Sequence, residues 1–248
     1  GYTNTVAERL RSYNYDVSFN PETIAQGQIV KDQVYPNILI IGEENKRCGD
    51  EIISVYENMC KSNYSVHRMD RTSAEISKVG LNCSLTAKIS MANTIGNVAI
   101  RMGGDADKVL NAIGSDERIG DKYFKYGFGY GGPCFPRDNR AFILSASQVG
   151  IDAHMNKACD KTNKDHLQYQ IENFSKENSK DKPVIINEVT FKKGSDIIEE
   201  SQQLEFALGL VRSGFHVIVK EKQSIIDKVN NLYGNIFTYE RVDETCVT

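Results

Sequence analysis

The sequence predicts an α/β protein with a largely helical middle part, and three observations indicate this. Short apolar runs alternate with helical patterns near both ends, which is typical of strand–helix–strand units. A helical pattern without proline runs from Thr72 to about Met102. The polar stretch 175–182 then separates this region from a second strand–helix–strand pattern. We therefore expect three domains: part of a Rossmann-like layer over residues 1–71, an all-helical domain over 72–178 and a small Rossmann-like domain over 179–248.

The first of these parts contains three predicted strands and one predicted helix. Residues 17–19 and 38–42 are short apolar runs that end at turn residues, as buried strands do. Apolar residues recur at helical spacing between Cys48 and Lys61, and residues 64–67 predict another short strand. A free-standing sheet normally has more strands than this. The pattern therefore predicts only a portion of an α/β layer.

The central part is predicted to begin with a long helix. Thr72 and Glu75 have the spacing of a capping box, in which the first residue caps the helix and the fourth bonds back to it. A helix from Thr72 to about Met102 is ~45 Å long at 1.5 Å per residue. So long a helix is a candidate dimer interface. Shorter helices are predicted over residues 105–113, 137–149 and 153–174.

The last part repeats the strand–helix–strand pattern. Residues 183–186 predict a strand, residues 204–212 an apolar helix that ends before Gly214, and residues 217–219 a second strand. The simplest interpretation is a second, smaller Rossmann-like layer.

Composition excludes several classes of protein. The 248 residues carry 30 Lys+Arg against 33 Asp+Glu, so the net charge of −3 predicts no nucleic-acid partner. No apolar run approaches the ~20 residues that a membrane span needs, so no membrane association is expected. The six cysteines are scattered without a CxxC pair, which indicates reduced thiols and a cytoplasmic location. The four histidines show no metal-ligand spacing, so no metal site is predicted.

A glycine-rich segment ending in a cysteine is the strongest chemical signal. Residues 127–132 contain four glycines and are followed by Cys134, with Arg137 and Asp138 nearby. Glycines let the backbone approach a ligand closely, and a thiol beside charged groups can be an activated nucleophile. The alternative is a structural cysteine after a flexible turn. The glycines lie within the helical region rather than after a strand, so they do not predict a dinucleotide loop.

Two further groups are candidates for chemistry. Lys78 and Asn82 are one helical turn apart on the long predicted helix, where a cation beside an amide would suit a developing oxyanion. The alternative is a solvated helix face. Glu22 follows Asn20 and Pro21 at a predicted strand end and could act as a base, the alternative being an ordinary turn residue.

Taken in order, these segments resemble the UDP-glucose/GDP-mannose dehydrogenase family over nearly the whole chain. The family patterns are N-P-E-F-[LI]-x-E-G, A-E-x-x-K-x-x-x-N, D-x-R-I-G and G-[FY]-G-G-x-C-[FL]-[PQ]-K-D, followed by the opening of a C-terminal nucleotide-binding domain. The similar segments here are 20–27, 74–82 with 88–90 and Asn93, 116–120, 129–138, and 190–201. The cysteine segment is the most specific of them.

The resemblance implies NAD-dependent oxidation of the C6 alcohol of a nucleotide sugar, with UDP-glucose as the expected substrate and a uronic acid for polysaccharide synthesis as product. By this resemblance Cys134 forms a thiohemiacetal and then a thioester with the sugar. Lys78 and Asn82 stabilise charge on the oxygen at C6. Glu22 and Asp138 activate or orient the hydrolytic water.

The resemblance also implies binding residues and a partner. The loop 123–131, with Tyr123, Phe128 and Gly131, would hold the sugar, and Lys192 would contact the nucleotide end. Arg118 would reach the substrate bound by a second copy of the chain, which makes the long helix the seam of a homodimer.

Some residues depart from the family pattern. A glycine-rich dinucleotide loop after a strand is absent, so most of the family's NAD-binding domain is missing from the sequence and the chain by itself is not expected to bind NAD productively. Gln26 replaces a glutamate, Thr23 an aromatic residue and Arg137 a lysine, and Glu199 stands where many members have arginine. The alternative function is therefore a non-catalytic nucleotide-sugar-binding or dimerisation module.

Overall fold

The computed structural model of the chain describes residues 1–24 and 29–242. The predicted positions Gln26 and Cys246 lie outside these residues. The chain divides into two compact units, Gly1–Leu81 and Asn82–Thr248. The division into three domains at residues 72 and 179 stays a prediction.

The first unit contains a two-stranded parallel sheet and short helices. Its elements are α1 (Tyr2–Leu10), a 3-10 turn (Arg11–Tyr13), α2 (Ile29–Val34), β1 (Ile38–Gly42), α3 (Lys46–Met59) and β2 (Ser65–Met69). β1 and β2 are parallel, with Ile38 beside Ser65 and Gly42 beside Met69. The predictions of β1, α3 and β2 are confirmed, whereas the sequence patterns did not indicate α1 or α2.

The predicted strand over residues 17–19 was wrong. Only Phe19 pairs, in an isolated antiparallel bridge with Gly42. Near the bridge, two backbone carbonyls accept hydrogen bonds from side chains instead of from a neighbouring strand. Arg71 Nη1 donates to the Val17 carbonyl at 3.0 Å, and Asn20 Nδ2 donates to the Ile40 carbonyl at 2.9 Å. The apolar run is therefore an extended segment anchored by side chains.

The long helix is present as α4 (Arg71–Arg101), which has 31 residues and spans the boundary between the units. Its start differs from the predicted capping box. Asp70 caps it, because the Asp70 carboxylate accepts hydrogen bonds from the Ser73 backbone N–H at 3.0 Å and from the Ser73 hydroxyl at 2.5 Å. The Glu75 carboxylate instead accepts hydrogen bonds from the backbone N–H and the hydroxyl of Thr3. It is therefore bound to α1 and does not form the predicted bond back to Thr72.

The second unit combines helices with a three-stranded parallel sheet. After α4 its elements are α5 (Ala106–Gly114), α6 (Phe135–Gln148), α7 (His154–Glu177), β3 (Val184–Asn187), α8 (Gln202–Arg212), β4 (Val217–Glu221), α9 (Gln223–Tyr233) and β5 (Thr238–Arg241). The strand order is β3-β4-β5, all parallel. The predicted helices and strands are confirmed, and α9 with β5 extends the predicted pattern by one further helix and strand.

The main hydrophobic core lies in this second unit, between the sheet and its helices. It includes Leu208 and Leu210 of α8, Val219 of β4 and Val229 of α9, each at most 1% exposed. A smaller core of Ala92, Leu110 and Phe124 packs α4 against α5 and the loop that follows α5. Within the described ranges, no helix is long and apolar enough to cross a membrane.

Candidate functional site

Cys134 occupies the N-cap position of α6 and is half-buried with a free thiol. The helix begins there because Pro136 suits the first turn, where backbone N–H groups need no intrahelical partner. The Asp138 N–H donates to the Cys134 carbonyl at 2.8 Å and closes that turn.

Asp138 and Asn82 are brought together as a buried pair. Asn82 Nδ2 on α4 donates to Asp138 Oδ2 on α6 at 2.6 Å, and both residues are less than a tenth exposed. Arg137 Nε donates to the other carboxylate oxygen at 3.0 Å. These contacts hold the carboxylate one turn after Cys134, where it can orient water or accept a proton.

Two other thiols near this pair have an environment that keeps them protonated. Cys83 lies next to Asn82 on α4, and burial raises the pKa of its thiol to about 11. Burial likewise raises the pKa of Cys159. Burial therefore disfavours the thiolate form of Cys83 and Cys159, and Cys134, which is only half-buried, is the better candidate for a nucleophile.

The glycine-rich loop before α6 is held close to neighbouring groups. A Cβ at Gly129 would lie 2.1 Å from Asn163 Oδ1, and one at Gly131 would lie 2.3 Å from the Glu200 carbonyl oxygen. Gly132 has φ +79° and faces the Phe191 ring. At these positions glycine is favoured by close approach to other groups of the protein, whereas the predicted close approach to a ligand stays a prediction.

The same loop presents aromatic side chains to solvent. Phe128 is 38% exposed and packs edge to face against Phe206, and Tyr123 is 47% exposed and packs edge to face against Phe135. Tyr123 has φ +60°, an uncommon conformation for a residue with a side chain. Both rings are therefore only partly covered by the chain.

Arg118 lies in the turn that follows α5, with its side chain 88% exposed and paired with Asp116 at 2.7 Å. Lys88 Nζ on α4 donates to the carbonyls of Ile119 and Gly120 at 2.9 and 3.2 Å, so α4 anchors this turn. The guanidinium is accessible to a molecule outside the chain.

Lys192 lies in the segment between β3 and α8 and is half-buried. Its backbone carbonyl accepts hydrogen bonds from the Thr190 hydroxyl and the Ser195 N–H, both at 3.1 Å. Farther along the segment, Arg140 of α6 binds both carboxylate oxygens of Glu200, at 2.5 and 3.0 Å. This segment is thus tied to the helix that begins at Cys134.

The remaining predicted residues belong to the first unit. Glu22 is exposed beyond the Phe19 bridge, and Asn20 before it is anchored by the Ile40 carbonyl and the Tyr56 hydroxyl. Lys78 is half-buried on α4, one turn before Asn82 as predicted. The structure therefore pairs Asn82 with Asp138 near Cys134 in the second unit, while Glu22 and Lys78 are described with the first.

The turn from β1 into α3 lacks the features that a dinucleotide-binding turn requires. In the described residues, the turn from β1 into α3 carries Glu43, Glu44 and the N-cap Asn45, and the two carboxylates pair with Arg68 and Arg71 respectively. A pyrophosphate needs backbone N–H groups without opposing negative charge. These residues do not fit a pyrophosphate at this turn. Within the described residues, no group of three or more His, Cys, Asp or Glu side chains is placed to hold a metal ion.

The candidate residues that our sequence reasoning missed lie on α7. Asn163, His166 and Gln170 contact the backbone of the glycine-rich loop. Their spacing of three and four residues places them on one helix face, which was the available signal. Polar residues at that spacing are common on solvated faces, so the pattern alone did not distinguish this set, of which His166 is buried and the other two are half-buried.

Parallel sheets, a long central helix and a cysteine at a helix N-terminus after a glycine-rich loop define an α/β protein with a candidate nucleophile. Two models of one family match the chain: the UDP-glucose/GDP-mannose dehydrogenase NAD-binding domain over residues 2–60 and the central domain of the same family over 72–165. The chain belongs to the UDP-glucose/GDP-mannose dehydrogenase family, and NAD is the cofactor that this family's N-terminal domain binds.

Individual relatives agree with this assignment. The chain is 32% identical to UDP-glucose 6-dehydrogenase of Pseudomonas aeruginosa over 86% of this chain and 48% of that protein, and 29% identical to GDP-mannose 6-dehydrogenase of Pseudomonas savastanoi over 83% and 46%. A UDP-glucose dehydrogenase structure from Pyrobaculum islandicum matches with a TM-score of 0.86 and 29% identity, covering 98% of this chain and 57% of that one. The chain thus spans about half the length of the curated relatives it matches.

Proposed function

We propose that the chain is the substrate-binding and catalytic-cysteine part of a nucleotide-sugar 6-dehydrogenase, with UDP-glucose as substrate and UDP-glucuronate as product. The observation that carries the proposal is the Asn82–Asp138 pair, buried one turn into the helix that begins at Cys134. The relatives supply the substrate class, since those named above act on UDP-glucose or GDP-mannose by their names. We expect a cytoplasmic location, because six scattered cysteines without a CxxC pair indicate reduced thiols.

The proposed chemistry converts one primary alcohol and one water into a carboxylate. Two molecules of NAD, bound one after the other, would each take one of the two hydrides that leave the sugar carbon, and the protons would be released to solvent. The Cys134 thiolate adds to the carbon of the intermediate aldehyde, and the resulting oxyanion takes a proton to give a thiohemiacetal. Loss of the second hydride leaves a thioester. Water then attacks its carbonyl carbon, and the carbon–sulfur bond breaks to return the thiolate.

The other residues have electrostatic and positioning roles in this proposal. Lys78 and Asn82 stabilise the negative charge on the oxygen at C6, because a cation and an amide N–H favour an oxyanion. Asp138 and Glu22 orient the hydrolytic water or take its proton. The exposed rings of Phe128 and Tyr123, with the backbone at Gly131, hold the sugar, and Lys192 contacts the nucleotide.

We also propose a homodimer in which α4 forms the seam. Met91 and Val98 are seven residues apart on α4, and each is more than half exposed, which is unusual for two apolar side chains on one helix face. Arg118, exposed after α5, would then reach the substrate of the second copy.

A non-catalytic nucleotide-sugar-binding module is the second candidate. The observation that favours it is the acidic turn after β1, where Glu43 and Glu44 oppose binding of a pyrophosphate. This module would bind the nucleotide sugar through the same second unit but would produce no NADH.

Calorimetric titration of this chain with UDP-glucose, with GDP-mannose as comparison ligand, tests the binding part of the proposal. Selective binding of UDP-glucose is expected, and equal or absent binding of both sugars would contradict the assignment of the substrate. Incubation with NAD and UDP-glucose, with a complete NAD-binding domain of this family supplied as a separate chain, then separates the enzyme from the module. The readouts are the absorbance of NADH and analysis of the sugar product. In the enzyme, Cys134→Ser keeps sugar binding and abolishes acid formation. An unchanged acid yield would contradict the covalent role.

A further inference from the structure

A cluster of polar side chains lies beneath the glycine-rich loop, between α4 and α7. We call it the polar clamp, and it consists of five residues: Asn93, Asn97, Asn163, His166 and Gln170. Asn93 is 1% exposed and His166 is 2% exposed. Polar side chains at this depth are costly unless each finds a partner. The chemistry proposed above gives none of the five a role.

The helix α4 contributes contacts to the first half of the loop. Asn93 Oδ1 accepts a hydrogen bond from the Gly127 N–H at 3.1 Å, and Asn93 Nδ2 donates to the Phe128 carbonyl at 3.4 Å. One side chain therefore binds the backbone on both sides of the peptide bond before Phe128. These two contacts fix the backbone from which the partly exposed Phe128 ring projects.

The helix α7 contributes contacts to both halves. Asn163 makes a reciprocal pair with Tyr130, accepting from its N–H and donating to its carbonyl, both at 2.8 Å. The Gly127 carbonyl lies 2.7 Å from His166 Nε2 and 3.1 Å from Gln170 Nε2. The loop backbone is thus bound at residues 127, 128 and 130.

The protonation state of His166 follows from its partners. A carbonyl oxygen can only accept, so Nε2 carries the hydrogen and donates to Gly127. Nδ1 lies 3.1 Å from Asn97 Oδ1, which also accepts a hydrogen bond from the Tyr126 hydroxyl at 2.9 Å. In a neutral ring with the hydrogen on Nε2, Nδ1 can only accept, so this tautomer requires the Asn97 amide to be turned with its NH2 group toward Nδ1. Burial lowers the pKa of His166, which favours this neutral ring. The rings that face it, Tyr126 and Tyr169, carry no charge at neutral pH.

We propose that His166 is a positioning residue that preforms the sugar-binding loop through the Gly127 carbonyl. The inference rests on the proposed function, because it assumes that the loop binds the sugar. A loop held before binding loses less conformational entropy when the ligand arrives, so affinity for the sugar increases. His166 acts only through the loop and touches no reacting atom.

Two variants and one control separate positioning from general stability. His166→Leu removes the donor to Gly127, whereas His166→Gln keeps an N–H that can reach it. His154→Gln is the matched control, because His154 is on the same helix with its side chain 83% exposed. Each variant is titrated with UDP-glucose and with UDP, and amide hydrogen exchange is followed at residues 127–130 without ligand.

For His166→Leu we expect binding of UDP-glucose to weaken about tenfold, the effect of losing roughly one hydrogen bond, while UDP binding is unchanged. Exchange at residues 127–130 becomes faster than in the wild type. His166→Gln recovers most of the affinity, and His154→Gln behaves as the wild type.

Three results would distinguish the possible failures. Equal weakening of UDP and UDP-glucose would overturn the inference, because general damage to the fold affects both ligands. Unchanged exchange at residues 127–130 in His166→Leu would overturn it without reference to any ligand. Absence of UDP-glucose binding by the wild type would instead count against the proposed function, while the exchange comparison would still decide the positioning role.

Discussion

Gly131 shows at the scale of one residue how close packing shapes the candidate site. Its missing side chain leaves room for the Glu200 carbonyl oxygen, which a Cβ would approach to 2.3 Å. Gly127, four residues earlier in the same loop, would meet nothing within 4 Å if it carried a Cβ. The two glycines therefore have different reasons to be present, although the sequence pattern treats them alike.

The comparison of these two glycines gives a first prediction. Gly131→Ala should lower the free energy of unfolding by about 1–3 kcal/mol, because backbone or side chains must shift to remove the overlap. Gly127→Ala is the control and should change it by less than about 0.5 kcal/mol. Chemical denaturation of both variants provides the measurement. If Gly131→Ala were as stable as Gly127→Ala, the prediction would be wrong, and the backbone before α8 would move away from the new methyl group at no cost in stability.

Asp138 gives a second prediction at this scale. Asp138→Ala leaves the buried amide of Asn82 without its partner, so we expect a loss of about 1–3 kcal/mol in the free energy of unfolding. Asp165→Ala is the control, since Asp165 on α7 is exposed and forms only a surface pair with Lys161. Urea unfolding would measure both, and similar losses would mean that the 2.6 Å contact contributes nothing to stability.

The start of α4 is the feature to test at the scale of an element. The Asp70 carboxylate accepts hydrogen bonds from both the N–H and the hydroxyl of Ser73. These bonds lower the pKa of Asp70, so its stabilising contribution is present above the unfolded-state pKa and is lost as the pH falls through the folded-state value. If the predicted capping box at Thr72 were present instead, the stability of α4 would not depend on the ionisation of Asp70.

Removal of this cap gives the third prediction. Asp70→Ala should lower the midpoint of thermal unfolding by about 2–4 °C at neutral pH. Asp70→Asn should retain most of the stability, since asparagine caps as well as aspartate, but should lose the dependence on pH. Thermal unfolding between pH 3 and pH 7 would measure both effects. If Asp70→Ala and the wild type melt together, α4 is held by its packing and not by this cap.

Elements with a clear local signal were predicted well, and those without one were missed. α3, α6, α8 and β4 follow apolar periodicity that can be read within a few turns. α1 was missed because its sequence, YTNTVAERL, has only one buried residue, Ala7. The segment 17–19 was misassigned, because its apolar run resembles a strand while its backbone is bound by distant side chains.

At the scale of the whole molecule, association through α4 is the property to test. Met91 and Val98 are 53% and 52% exposed and share one face of the helix. Burial of apolar surface would drive association of two chains there. Neither side chain belongs to the two hydrophobic cores described above.

The fourth prediction follows from that exposed face. The double variant Met91→Lys with Val98→Lys should convert a dimer into a monomer and leave the fold intact. Leu144→Lys is the matched control, because Leu144 is a similarly exposed apolar residue, 62% exposed, on a different helix, α6. Sedimentation velocity with circular dichroism would measure mass and fold. A wild type that is already monomeric, or a double variant that remains dimeric, would exclude α4 as the seam.

Sequence by itself determined the family, the long helix, the parallel strand–helix units and the candidate roles of Cys134, Asn82 and Asp138. These depend on periodicity and on motif spacing, which are properties of neighbouring residues. Tertiary structure decided which groups those residues meet. Glu75 binds Thr3, 72 positions away, instead of closing a capping box, and His166 binds Gly127, 39 positions away. A hydrogen bond depends on distances of a few tenths of an ångström between such groups, and only the packing of the helices sets those distances.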